Sequence, residues 1–266
     1  MRSSPPAFGA LAGLAVLVAS AGAAAAPPWV DRRMTPLSGQ WNFDVGVGVD
    51  HTPDDNGTVS SGMNLEMAVG LTDRVELGVR TGIRFGDATN VSGIKPDRYG
   101  RLFDRQYFDG GDGVVANPEL RVRWAFLSGS VGEVGLEGRF IAPLENNTYA
   151  GLSPGLPVAL HLGERVRLDT GVFMPIVTNP QATTVGLSVP LDIWIQVTPR
   201  LWLGPMTGLQ NTAINRNQST TSMSMGFGLG YQITRYLDFK TMLLLPELSN
   251  DSRYFGVGAG VQIRIE

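Results

Sequence analysis

Arginine and glutamate recur at alternate positions along three stretches of this chain. Arg74, Glu76, Arg80 and Arg84 form the first row, Glu119, Arg121 and Arg123 the second, and Glu133, Glu137 and Arg139 the third, with Glu66 shortly before them. In a β-strand, side chains two apart share a face, so each row is a charged stripe on one side of a strand. Two kinds of chemistry suit such stripes. A row of guanidiniums can carry a solute with anionic groups, or Arg and Glu on neighbouring strands can pair and neutralise one another. Other chemistries find little support. The two histidines, His51 and His161, have no nearby serine that makes a compelling nucleophile and base pair. Asp50, Asp54, Asp55 and Asn56 offer oxygen ligands without the spacing of a calcium loop, so they are read as a polar turn. No catalytic residue, metal site or cofactor is expected.

The elements that must hold these stripes are strands with one uncharged face. Trp41, Phe43, Val45, Val47 and Val49 alternate with Asn42, Asp44, Gly46 and Gly48; Val75, Leu77, Val79 and Ile83 alternate with the first charged row; Leu120, Val122, Trp124 and Phe126 alternate with the second. The pattern repeats about twelve times up to Ile265, and the apolar set never includes Asp, Glu, Lys, Arg or His. Slipping one strand by a residue would push a charge onto that face, at roughly 2–4 kcal/mol for a midplane Arg or Lys if the face meets lipid. Trp41, Phe43, Trp124, Phe126, Tyr231 and Phe239 gather near one end, as an interfacial girdle does. Strand connections at 72–73, 128–130, 163–165, 198–200 and 234–235 are tight, and those between them are longer and polar.

Composition fits a wall that meets lipid. Charged residues make up 17% of the 266, the net charge of −3 gives no footprint for nucleic acid, and there is no cysteine to form a disulfide framework. Arg2, an apolar core from Leu11 to Val18 and the AGAAAA run read as a signal peptide over residues 1–26, cut at about 23–26. Residues 27–39 are then a periplasmic N-terminal segment and 40–266 the barrel. No later run of about 18 apolar residues exists, so a spanning protein of this sequence must close its strands on themselves. The expected fold is all-β: a transmembrane antiparallel up-and-down barrel of about twelve strands with both termini periplasmic.

Strand-turn-strand units such as GLTDRVELGVRTG and VTPRLWLG resemble those of Gram-negative outer-membrane β-barrel proteins, especially small porin-like barrels. The resemblance covers everything after the signal and rests on pattern, not on a catalytic motif. It implies residence in the outer membrane, contact with outer-membrane lipid and insertion by the barrel-assembly machinery. The closing strand departs from that machinery's usual signal, since VQIRIE ends on Glu266 and not on an aromatic.

The expected function is a passive channel for small solutes, lined by Glu66, Arg74, Glu76, Arg80, Arg84, Glu119, Arg121, Arg123, Glu137 and Arg139. The glycines of the facing wall (46, 48, 226, 228, 230, 256, 258 and 260) would leave room for a narrow pore between them. A closed structural barrel acting through its exterior loops is the alternative, and a lipid-modifying enzyme is a third class. Residues 86–113, with Lys95, Arg98, Arg101 and Arg105 among aromatics, form the longest loop and read equally as a constriction folded inward or as an exterior binding surface. Pro190 and Pro205 fall inside neighbouring strands, where each removes a ladder donor, giving either a local kink or a seam able to open sideways.

Overall fold

The computed structural model describes residues 27–51, 59–85, 115–144, 149–178, 183–214, 218–245, 248 and 255–266. The signal-peptide reading, the first exterior loop and the loop with Lys95, Arg98, Arg101 and Arg105 lie outside them. Thirteen strands are formed: β1 (Trp41–His51), β2 (Val59–Thr72), β3 (Val75–Phe85), β4 (Val115–Ser128), β5 (Gly132–Ile141), β6 (Gly151–His161), β7 (Val166–Phe173), β8 (Ile176–Thr178), β9 (Thr183–Gln196), β10 (Leu201–Ile214), β11 (Gln218–Thr234), β12 (Leu237–Leu245) and β13 (Phe255–Ile265). The three-residue β8 pairs with the same neighbours as β7, namely β6 and β9, so it continues the β7 stave beyond a break at Met174–Pro175. Pro175 sits where no ladder donor is needed. Twelve staves result, all antiparallel, and the pairing of β1 with β13 from Trp41↔Ile265 to His51↔Phe255 closes the ring.

Closure leaves no open sheet edge, which a barrel without disulfides requires in a membrane. The wall faces outward as the alternation predicts. Val45, Val47 and Val49 are exposed while Asn42 and Asp44 are buried, and the same inversion holds for Leu120, Val122 and Trp124 against Glu119, Arg121 and Arg123. A surface of exposed large apolar residues around charges buried inside is the reverse of a soluble protein. Among the described residues no helix is long and apolar enough to cross a membrane.

Three of the short turns share one device. The Thr72 hydroxyl accepts hydrogen bonds from the Arg74 and Val75 amides (3.2 and 3.0 Å), Thr198 does the same for Arg200 and Leu201 (3.3 and 3.0 Å), and Thr234 accepts from Tyr236 (3.2 Å). A threonine that supplies an acceptor two residues back replaces a ladder bond at the reversal. The β6–β7 turn instead uses Gly163, whose φ of +74° a side chain would disfavour. Trp41 and Ile265 pair at this same end, so both barrel termini lie with the short turns.

The chain enters the barrel before β1 begins. Residues 37–40 make a turn with Gly39 at φ +79° and bridge Ser38 to Gly70, where a Cβ would stand 2.1 Å from the Leu37 carbonyl oxygen. Glycine at position 70 is what lets the backbone cross the rim this closely. Residues 29–35 then run inside the cylinder, beginning with a 3-10 turn (Trp29–Asp31).

Candidate functional site: the barrel interior

The charged stripes meet side by side because β2, β3, β4 and β5 are consecutive staves in register, Glu66↔Arg80, Glu76↔Arg123 and Arg123↔Glu137. Arg121 donates to Glu66 (2.6 Å) and Glu76 (2.9 Å), and Arg123 Nε donates to Glu137 (2.6 Å). Arg139 donates to the other oxygen of Glu137 (2.6 and 2.5 Å) and lies 3.7 Å from Glu119, which Arg80 approaches at 3.5 Å. Arg123 also stands 3.8 Å from Glu76. Four carboxylates and four guanidiniums thus form one continuous ribbon, charge-balanced and almost wholly buried. Such bonds between ionised partners are the strong ones, and each arginine in the ribbon already has a carboxylate. Of the two readings of the stripes, the self-neutralising one is the arrangement observed.

Not every predicted member joins. Arg74 lies exposed at the short-turn rim, because the Thr72 turn reverses the chain there and its carbonyl accepts from the Ala125 amide. Arg84 belongs to β3, but its side chain is outside the described set.

The glycine wall also differs from expectation. A Cβ at Gly228 would stand 2.6 Å from the Trp194 ring, and one at Gly230 would stand 2.1 Å from the Trp202 ring. The space the glycines leave is occupied by indoles from β9 and β10, so at this level it is no open pore. Towards Gly46, Gly258 and Gly260 a cavity of about 50 Å³ remains, bordered by Trp29, Trp194 and Met206.

Trp29 completes this cluster from the N-terminal segment. Its ring stacks on Trp202 (centroids 4.9 Å apart, planes 1° apart) and meets Trp194 edge-on at 6.3 Å. Met206, Met242 and Leu244 surround them, which accounts for the run TMLLLP being apolar on both faces of β12. The Arg32 guanidinium lies over the rings of Trp29 and Trp202 (5.1 and 5.5 Å) and Lys240 over Trp29 (5.5 Å), positions in which a cation is attracted to the indole face.

Polar bonds fix the rest of the segment. Arg32 forms a two-oxygen ion pair with Asp238, which Arg264 also engages. Burial draws the Arg32 guanidinium below the ordinary arginine range, with Asp238 opposing the shift. Arg167, paired with Asp169 at 2.9 Å, donates to the Arg32 carbonyl. The Val30 amide donates to Gln196 (3.3 Å), the Met34 amide to Glu133, and Thr35 Oγ1 to the Asp73 carbonyl (3.1 Å), while Arg123 reaches the Met34 carbonyl (3.3 Å). Residues 29–35, within the stretch read as a periplasmic N-terminal segment, are therefore packed inside the short-turn end.

Sequence reasoning missed this occupant. Trp194 and Trp202 stand on the inward parity of their strands, a signal that was available, but nothing periodic marks residues 29–35. His161 sits at the end of β6, half-buried, beside a rim pocket that also includes Asp31, Glu133 and Glu164. Among the described residues no group of His, Asp and Glu is arranged to hold a metal.

The sequence matches no protein-family model and no curated protein. Solved structures do match. An outer-membrane channel of the COG4313 group from Pseudomonas putida F1 is similar over 88% of this chain and 98% of its own, with 15% identity and a TM-score of 0.63. The NanC porin (9% identity, 84% and 100% covered, TM-score 0.60) and the KdgM porin (10%, 85% and 99%, 0.57) are similar as well. The fold is thus that of the small porin-like outer-membrane barrels, a closed antiparallel cylinder of twelve staves.

Proposed function

We propose that this protein is a passive channel for small solutes in the outer membrane of a Gram-negative bacterium, exported through a cleaved signal and narrowed at its short-turn, periplasmic end by residues 29–35. The observation that carries the reading is an interior of buried charged and polar side chains inside a cylinder with an apolar exterior, a combination that a protein with only a dry core would not use. The similar structures include proteins described as channels and porins, which supports the same reading, as it does a non-enzymatic role. Twelve staves fall between small filled barrels and wide aqueous ones, so the path is narrow. Outer-membrane lipid is the partner of the wall, and the barrel-assembly machinery that of biogenesis.

A second reading, a closed barrel working through its exterior loops, draws on the filled interior itself. Planar-bilayer recording of the refolded wild type separates the two. Small, brief conductance steps are expected, and silence at high salt across many insertions would remove the channel.

A sideways route is less well supported. Between β9 and β10 the register runs on both sides of the prolines, with Gly208 opposite Pro190, and skips only the two pairs at Gly204–Pro205. There a Cβ on Gly204 would stand 1.6 Å from the Ile193 carbonyl oxygen, so the strands are pressed together at the gap. Since the chain has no cysteine, a bridge between Ser188→Cys and Gln210→Cys, which face each other, tests the seam cleanly. Oxidation is expected to leave conductance unchanged; its loss, restored by reduction, would establish that the seam opens.

A further inference from the structure

The charges of the barrel balance only when the N-terminal segment is counted. The ribbon across β2–β5 is neutral in itself, and Glu133, buried beside it on β5, is approached by Arg33 of the segment at 3.8 Å. On the remaining staves the interior holds Asp44, Asp169, Asp192 and Asp238 against Arg167, Lys240 and Arg264, so among the described residues the wall around the tryptophan cluster carries one carboxylate more than it has cations. Arg32 brings a further cation, to Asp238, which Arg264 also engages, on the same short turn that lays Trp29 against Trp202. A flat apolar body and a positive charge three residues apart thus fill a slot with indole walls and an acidic floor.

The fit is not perfect. The indole N–H groups of Trp29 and Trp194, each 4% exposed, have no hydrogen-bond partner among the described residues. An unpaired buried donor weakens the packing that contains it. The segment also belongs to the part of the chain before β1 and enters through a single rim crossing at Gly70, so it can withdraw without breaking the barrel ladder.

We propose that residues 29–32 are the chain's own stand-in for a ligand, and that the chamber formed by Trp194, Trp202 and Asp238 binds an organic cation with an aromatic body, such as an aryl-alkyl ammonium, when the segment withdraws. The cation would take the place of Arg32 beside Asp238, and the ring that of Trp29 on Trp202. An aromatic carboxylate of the same size would meet the acidic excess and be refused. This assignment rests on the reading of the barrel as a solute path, yet its test does not need conduction.

Phenethylammonium and 3-phenylpropionate are the probes, titrated calorimetrically against detergent-solubilised full-length protein. The double variant Trp29→Ala/Arg32→Gln, in which the slot is vacated, is expected to bind phenethylammonium at least about tenfold more tightly than wild type and than it binds the carboxylate. Adding Asp238→Asn should abolish that preference. In wild type, which cannot be misfolded by substitution, saturating phenethylammonium should speed trypsin cleavage after Arg32 or Arg33, and phenylpropionate should not. Equal binding of the two probes, or cleavage that neither changes, would overturn the assignment. Selective binding in a barrel that never conducts would retain the site and remove only the channel.

Discussion

Trp29→Ala/Arg32→Gln is expected to raise single-channel conductance by at least about threefold over wild type, because the narrowest part of a pore dominates its resistance. Trp29 fills the slot between Trp194 and Trp202, and Arg32 joins the segment to Asp238 on β12, two staves from Trp202. Losing both removes the aromatic stack, three cation–π contacts and a buried ion pair, while the Met34 and Thr35 bonds nearer the rim keep the chain attached. The expected trace has larger steps with more frequent transitions, recorded in planar bilayers beside wild type. Conductance that stays at the wild-type level would place the constriction elsewhere, and the exterior loop 86–113 would become the next candidate. Arg32→Lys separates charge from shape: a lysine keeps the charge but not the two-oxygen geometry, so an intermediate conductance is expected.

The cylinder itself could be read in advance because lipid imposes a rule on every strand. No charge appears at Val45, Val79, Leu120 or Leu136, and each of these is on the outer surface. The turns were legible for a similar reason, since a threonine before Asp73-Arg74 or Pro199-Arg200 supplies the acceptor that a reversal lacks. The ion ribbon was visible as residues and parity; whether its members paired or lined a path depended on the strand stagger, and stagger leaves no mark in a single sequence. The same holds for the glycine wall. Gly228 and Gly230 are small so that Trp194 and Trp202 can lie over them, a complementarity that depends on how β9, β10 and β11 are staggered. The lumen occupant was the least legible part. Seven residues with one tryptophan, one valine and three charges have neither a period nor a length that distinguishes an inserted segment from a tether.

Glu137→Ala should be the most damaging single substitution in the ribbon. Its two oxygens serve two different arginines, one accepting from Arg123 and the other from Arg139, and all three side chains are buried. Truncation removes the nearest carboxylate from two guanidiniums, whose distances to Glu76 and Glu119 are 3.8 and 3.7 Å, and breaking a buried pair costs on the order of 3–5 kcal/mol. Glu137→Gln keeps one acceptor and the side-chain volume, so roughly half of that loss is expected. Arg80→Gln, at the least buried end of the ribbon and 3.5 Å from its partner, should cost the least of the three. Urea unfolding of the three variants in lipid vesicles gives the order directly. If Glu137→Ala fell within about 1 kcal/mol of wild type, water would have to be solvating those arginines, and the ribbon would be a wet wall open to solutes after all. Because Arg123 also donates to the Met34 carbonyl, the same substitution should loosen the lumen segment. The destabilised barrel should therefore conduct slightly better than wild type, a combination that general unfolding does not produce.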